Sequence, residues 1–441
     1  MNKNPLAKDF KIGSLLKFAL PTIIMMLFMG FYTIIDIVFV SRFVNTNALS
    51  AINIVCPVIN LIVGLSTMAA TGGSAIVARK MGSGESERAK QDFSFLFLFT
   101  LLLGVIISVL GTVFIDTIIY ALGADDVLYP YCKDYLKIIL LFAPASMLQV
   151  LFQNLFVTAG KPALGLIFSV LAGVMNIVFD YIFMVPLDMG ITGAGLGTGI
   201  GYMIPAAAGL IIFSKKTGTL TFVKPVIDFK MLCESCLNGS SEMVSQISTA
   251  VTTFFFNLTM MKLSGINGVA SITIMIYTQF LLTTLFIGFS LGVAPVISFN
   301  FGAKNCYRLK KIYKICVSFI LISSLLIFAL SLLGANNLVQ LFTGRNEEVY
   351  EITKRGFLIF AFSFLFSGFN IFSSAIFTAL SNGKISALIS FLRTFGFIMP
   401  GLMILPNFIG TAGVWLAVPL AEVLTLCVSL YMNCRLWVSW K

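Results

Sequence analysis

There is no histidine anywhere in this chain of 441 residues. That removes the side chain best suited to carrying protons near neutral pH and the commonest metal ligand, so any proton handling falls to carboxylates. Charge is scarce as well, at 11% of residues against about 25% in soluble domains. No run alternates apolar and polar residues as a strand of an outer-membrane barrel would. The eight cysteines are scattered, without the clustering of a disulfide framework. Cys233 and Cys236 form a CxxC, but no second pair and no histidine accompany them as a zinc site would require. The stretch Met81-Gly-Ser-Gly-Glu-Ser lacks both the Gly-Lys-Ser/Thr ending and the preceding strand of a phosphate loop, which argues against nucleotide binding. With no soluble catalytic domain in view, the chain is not expected to be an enzyme.

What is present is apolar length. Hydrophobic residues make up 58% of the chain and the mean hydropathy is +0.99. A helix needs about 20 apolar residues to cross the hydrocarbon core of a bilayer. Twelve stretches qualify, near 14–40, 48–78, 92–120, 131–158, 162–186, 191–214, 234–262, 268–300, 312–335, 350–380, 385–406 and 410–437. The expected fold is therefore all-α and integral to the membrane, with twelve transmembrane helices. The first stretch is too long for a signal-peptide core and lacks a small-residue cleavage site, so it reads as a retained helix.

The net charge of +11 would suit a nucleic-acid partner, but its placement points to membrane topology instead. With both termini inside, the inner segments hold four Lys at the N-terminus, four basic residues between Arg79 and Lys90, and Lys161. They also hold four between Lys215 and Lys230, five between Lys304 and Lys314, Lys384 and two at the C-terminus, making 21 of the 29. Arg42, Lys133, Lys137, Lys262, Arg345, Lys354 and Arg355 fall outside, and Arg393 lies within a span. This is the positive-inside pattern of a multi-pass plasma-membrane protein with cytoplasmic termini.

The chain also repeats itself at a shift of 220 residues. Gly72 and Gly82 correspond to Gly292 and Gly302, Arg88 and Lys90 to Arg308 and Lys310, and Gly190 and Gly193 to Gly410 and Gly413. Such a parallel repeat predicts two six-helix bundles related by an axis along the membrane normal, an architecture suited to moving a solute between them. The bundles are placed at 1–214 and 234–441. A cytoplasmic linker at 215–233 holds Thr217, Gly218, Pro225 and several lysines.

A charge near the bilayer centre costs about 2.5 to 3.5 kcal/mol on insertion scales, so such residues usually face an interior and act there. They are Asp36, Asp180, Glu242, Arg393 and Glu422. Asp36 in the first span and Asp180 in the fifth both fall roughly 7 to 9 Å below the outer boundary. Asn176 lies one turn deeper on Asp180's face, and Thr198 in the sixth span reaches a similar depth. Two acids sharing a dry pocket cannot both stay ionised, so the pair can carry a proton. The same oxygens suit sodium. Interhelical hydrogen bonding is the structural alternative. The second half has no such set: Asp36 corresponds to Phe256 or Asn257, and Asp180's counterpart falls in Phe397-Ile-Met-Pro-Gly-Leu-Met403.

Gln153, Asn154, Gln246 and Gln279 are candidates to line a substrate cavity with Glu242 and Glu422, because an amide in a span needs a polar partner. Glu242 and Glu422 either bind a cationic substrate or neutralise Arg393. The phenylalanines and methionines offer adaptable apolar lining for organic cations, although most face lipid or a neighbouring helix.

Several stretches together resemble the multidrug and toxic compound extrusion (MATE) family over essentially the whole chain. They are Tyr32-Thr-Ile-Ile-Asp-Ile-Val-Phe-Val40, Gly73-Ser-Ala-Ile-Val-Ala-Arg-Lys-Met-Gly82, Asn176-Ile-Val-Phe-Asp180, Gly193-Ala-Gly-Leu-Gly197, Gly288-Phe-Ser-Leu-Gly-Val-Ala-Pro295 and Asn300-Phe-Gly302. The resemblance, to the bacterial type, implies two lobes in a V around a central cavity and antiport of organic cations against protons or sodium. It implies a cation site in the N-terminal lobe at Asp36, Asn176 and Asp180, and at Thr198 by position alone. Some members also carry an acid in helix 10, where Ser367-Gly-Phe-Asn370 here has none.

The expected function is secondary-active efflux of lipophilic organic cations by a monomer in contact with lipid, with a proton or Na+ as coupling ion and no other cofactor. A flippase for a lipid-linked saccharide is the alternative; its phosphate would call for basic residues along the cavity. A passive channel would show a selectivity filter or charged ring.

Overall fold

The computed structural model describes residues 4–216, 218–343 and 347–440. Thr217 of the expected linker, Arg345 of the outer loops and the terminal Lys3 and Lys441 lie outside the described residues. Among the described residues all regular structure is helical. The helices are α1 (Ile12–Phe43), α2 (Thr46–Gly82), α3 (Ser86–Val113), α4 (Ile115–Ala121), α5 (Tyr129–Leu141), α6 (Ala143–Thr158), α7 (Pro162–Met184) and α8 (Gly190–Ser214). There follow α9 (Phe229–Gly302), α10 (Cys306–Thr343), α11 (Glu347–Phe360), α12 (Phe364–Ala379), α13 (Gly383–Phe391), α14 (Met399–Ile409) and α15 (Thr411–Ser439). A π-helical turn, Leu392–Ile398, joins α13 to α14.

Ten helical segments among the described residues are long and apolar enough to span a bilayer, and α5 with α6 makes an eleventh as a pair bent by 52°. The bend falls at Phe142, where Pro144 in the first turn of α6 withholds an N–H. The seventh and eighth expected spans are continuous in α9, whose 74 residues would be about 111 Å long if straight. They are not straight: Gly265 is non-helical at φ 60° and ψ −148°, a conformation that glycine adopts without steric cost. A Cβ on Gly268 would sit 2.8 Å from the Met260 carbonyl oxygen, whereas eight residues of straight helix cover about 12 Å. The chain has doubled back. The third expected span, placed at 92–120, is instead α3 ending at Val113 with α4 set apart at Phe114. α9 begins at Phe229, where the Asp228 carboxylate accepts from the Met231 N–H at 3.0 Å and caps the helix.

Apolar side chains as large as Leu333 and Phe408 remain over three-quarters exposed, as expected of a surface facing lipid rather than water. The linker lies on the first half. Phe222 stacks on Phe93 at 4.8 Å between centroids, and the Val223 N–H donates to Ser94 Oγ at 3.0 Å.

The two halves meet where α9 packs along α1 and α2, and glycine allows the backbones to touch. A Cβ on Gly82 would collide with the Phe299 carbonyl, and one on Gly302 with the Arg79 carbonyl. A Cβ on Gly72 would lie 2.7 Å from the Gly239 nitrogen, and one on Gly292 would lie 3.0 Å from Ala19 Cα. Arg79 adds an ion pair to Glu234 at 2.8 Å across this seam. The N-terminal segment closes over the same end. Arg308 Nη1 donates to the Ala7 carbonyl at 2.9 Å, Lys311 pairs with Asp9 at 2.8 Å, and Pro5 covers Gly160. The loops that carry most of the basic residues therefore share one face of the molecule, here called the basic end.

Candidate functional site: a buried carboxylate pair

Asp36 on α1, Asn176 and Asp180 on α7 and Thr198 on α8 come together inside the first half. Asp180 is 1% exposed and Asn176 4%. Asn176 Nδ2 donates to Thr198 Oγ1 at 3.4 Å, joining α7 to α8. The two carboxyl groups are within hydrogen-bonding reach of one another, with Asn176 beside Asp180. Gly197 makes room for them, since any Cβ there would strike Asp180 Oδ1.

The site is rich in acceptors and poor in donors. Asp36 Oδ1, both oxygens of Asp180 and Asn176 Oδ1 are buried without a hydrogen-bond partner. Ionised carboxylates only accept, so a bond between the two acids forms only with a proton between them. Unpaired buried acceptors cost about 1 to 3 kcal/mol each, more when charged. Such a set suits a cation, either a proton or a small metal ion with a preference for hard oxygen ligands.

Next to Asn176 and Thr198 is an internal space of about 10 Å³, also lined by Met29, Tyr32, Gln149 and Tyr202. That is room for roughly one water molecule. Tyr32, Tyr135 and Tyr202 all lie within the electrostatic reach of Asp36. Sequence reasoning passed over Tyr32, Gln149 and Tyr202. A signal existed for two of them: Tyr32 precedes Asp36 by four residues and Tyr202 follows Thr198 by four, so each shares a helical face with a chosen residue.

The residues expected to line a substrate cavity do not converge. Gln153 Nε2 donates to Ser169 Oγ at 2.8 Å, and Asn154 Nδ2 to the Val150 carbonyl of its own helix at 2.9 Å, both inside the first half. Glu422 is fully buried and paired with Arg393: Nε donates to Oε1 at 2.8 Å and Nη2 joins the same oxygen. Asn370 Nδ2 donates to Oε2 at 2.7 Å. Of the two roles open to Glu422, the structure gives it the neutralising one. Glu242 has no ion pair among the described residues. Gln246, one turn further along α9, meets Gly64 of α2 at the seam, whereas Gln279 sits half-buried on the second arm of α9.

The family model MatE matches the chain twice, at residues 21–182 and 243–404. The multidrug export protein MepA of Staphylococcus haemolyticus is 27% identical over 427 residues, covering 95% of this chain and 92% of that protein. A crystal structure of MATE in complex with MaL6 superposes with a TM-score of 0.94 at 20% identity, over 100% of this chain and 99% of the other. A mutant of the Vibrio cholerae MATE transporter VcmN superposes with a TM-score of 0.90 at 19% identity, over 97% of each chain.

Proposed function

This chain belongs to the MatE family, and from that premise we infer that its buried acid pair is the ion-coupling site of a secondary-active multidrug efflux transporter. The observation that carries the reading is the cluster of buried carboxylate and amide oxygens at Asp36, Asn176 and Asp180 that accept no hydrogen bond. A proton or Na+ arriving there supplies the missing positive charge. Its departure restores the repulsion between the acids and favours a lipophilic cation as replacement. Coupling requires the two ligands to prefer different conformations, since equal affinity for both would shift nothing.

The architecture proposed around the site is twelve spans in two lobes, 1–214 and 234–441, joined by the linker 215–233. The break in α9 at Gly265 and the bent α5–α6 pair support the count of twelve. Backbone contact at Gly72, Gly82, Gly239 and Gly302 supports a state closed at the basic end. Glu242 and Gln246, beside that seam, are the acid and amide proposed to meet a cationic substrate. The transporter is proposed to act as a monomer in the plasma membrane with its basic end in the cytoplasm. A saccharide-lipid flippase is disfavoured, because Glu422 already neutralises Arg393, the one base placed deep in a span.

The test is uptake of a fluorescent organic cation into proteoliposomes under a pH gradient and, separately, a sodium gradient. Asp36→Asn and Asp180→Asn should each abolish gradient-driven transport while leaving the protein folded. Retention of full transport in either variant would sink the assignment, and the gradient that drives the unaltered protein names the ion.

A further inference from the structure

A second cavity, of about 230 Å³, opens at the basic end between the start of α7 and the end of α8. Its walls divide by chemistry. Leu164, Ile212 and Phe213 form an apolar side, Lys161 and Lys215 carry positive charge, and no acidic residue lines it among the described residues. Neither lysine is in an ion pair among the described residues. The α7 helix begins beside Lys161 with no side-chain cap, so the positive end of a 23-residue helix dipole adds to the same field.

The cavity is held open by tertiary contacts. Thr219 Oγ1 donates to the Ala159 carbonyl at 3.1 Å and the Phe222 N–H to the Phe213 carbonyl at 3.0 Å. Leu220 is 2% exposed, which pins this part of the linker as a fixed wall.

We propose that this cavity binds the phosphate headgroup of an anionic phospholipid from the leaflet at the basic end. Two lysines outside any ion pair, in the field of a helix start, favour an anion, and a phosphate diester offers an oxygen to each. The space is smaller than a drug-sized site of about 300 to 1,000 Å³, so it takes a headgroup and leaves the acyl chains outside. Ile167 and Ile211, exposed on α7 and α8 near the cavity, extend the apolar wall towards lipid. Free phosphate would use only the charged half. Basic pockets between helices at a membrane face are a known mode of anionic headgroup recognition.

The purified full chain, equilibrated in detergent with equal phosphatidylglycerol and phosphatidylcholine, is examined by native mass spectrometry. The unaltered protein should retain phosphatidylglycerol selectively. Lys161→Gln with Lys215→Gln should reduce that preference about 30-fold, each lysine near an anionic headgroup contributing roughly fivefold. The pair Lys224→Gln with Lys230→Gln, in the linker but outside the cavity, should leave it unchanged. Retained preference in the first double variant would overturn the proposal, as would equal loss in the second. Displacement of the lipid by millimolar inorganic phosphate would overturn the lipid as occupant in favour of a soluble anion. If the first double variant proves unstable, each single variant is measured alone, with a roughly fivefold loss expected and no loss counting against the site.

Discussion

Removing Arg393 should damage this protein more than removing Arg393 and Glu422 together. Glu422 is fully buried; its Oε1 accepts from two nitrogens of Arg393 and its Oε2 from Asn370. Arg393→Met strips the countercharge and both bonds to Oε1 but leaves the carboxylate where water cannot reach it. Breaking a buried pair from one side costs about 3 to 5 kcal/mol. Asn370→Ala removes one bond to a charged acceptor, worth about 1.5 to 3 kcal/mol, and should rank second. Arg393→Met with Glu422→Met removes both charges, and such apolar replacements are often neutral or stabilising. The double variant should therefore fall within roughly 1 kcal/mol of the unaltered protein, giving a coupling energy of several kcal/mol in a double-mutant cycle. Denaturant titration in detergent micelles, followed by tryptophan fluorescence, measures these four proteins and Glu422→Met alone, which completes the cycle. Equal stability of the Arg393→Met and double variants would refute the pairing. A double variant that folds normally but no longer exports substrate would refute the purely neutralising role given to Glu422.

The site and the seam give three further expectations. Gly197→Ala should cut ion-driven transport at least ~10-fold with little loss of folded protein, because the new methyl would collide with Asp180 Oδ1 and displace it, and displacements near 1 Å commonly cost about 10²-fold; transport at the normal rate would show that the carboxylate position is unimportant. Gly82→Ala and Gly302→Ala should each push the basic ends of α2 and α9 apart, read as a longer distance between spin labels at Ser83 and Lys304, and an unchanged distance would contradict backbone contact at the seam. Hydrogen bonding from Lys311, with Arg308 and Lys11 nearby, holds the Asp9 carboxyl below its usual 3.8. A depressed acid stabilises the fold above the unfolded value, and that contribution is lost only as pH falls through the lower folded value. Protease cleavage of the N-terminal segment should therefore stay constant from neutral pH down to about pH 5 and rise only in stronger acid; a rise between about pH 7 and pH 5 would count against the Asp9–Lys311 contact.

The repeat was legible because it is written in glycine. Gly72 with Gly292 and Gly82 with Gly302 stand out in the sequence at the shift of 220, and the structure supplies the reason. Gly82 lies against Phe299 and Gly302 against Arg79, while Gly72 meets Gly239 and Gly292 meets Ala19. Positions 299 and 79 are again 220 apart, as are 239 and 19. Backbones in contact tolerate no Cβ, so both halves carry the same small residues. Asp36 and Asp180 were legible for a different reason: a charge in an apolar span is costly wherever it points. The bend between α5 and α6 was legible only in part: Pro144, like the other prolines within spans, permits a kink, but prolines are common in membrane helices and nothing singled this one out. The partner of Glu422 was not legible, since choosing between substrate and Arg393 depends on which helices meet. Gln149 and the tyrosines around the acid pair were hidden by their commonness.

The halves thus share a backbone plan and differ in how their buried acids are neutralised. In the second, Glu422 has a guanidinium tethered to its own half, and an arginine side chain does not give up its proton in a protein. That acid has no cation to exchange with either side of the membrane. In the first, Asp36 and Asp180 have no basic partner among the described residues, which supports the proposal that the cation neutralising them arrives and leaves. On the coupling proposed for Asp36 and Asp180 an ion gradient acts on the first half, because Glu422 keeps its partner in every state, while Glu242, the other acid within a span of the second half and with no ion pair among the described residues, is the one proposed to meet substrate. The helix that bears Asp36 also reaches the seam. On α1, Ala19 and Ile23 lie against Gly292 and Gly288 of α9, about 20 to 26 Å along the helix from Asp36. A cation bound as proposed would bear on the same helix that meets the second half, and asymmetry in the charges would then give a symmetric fold a direction.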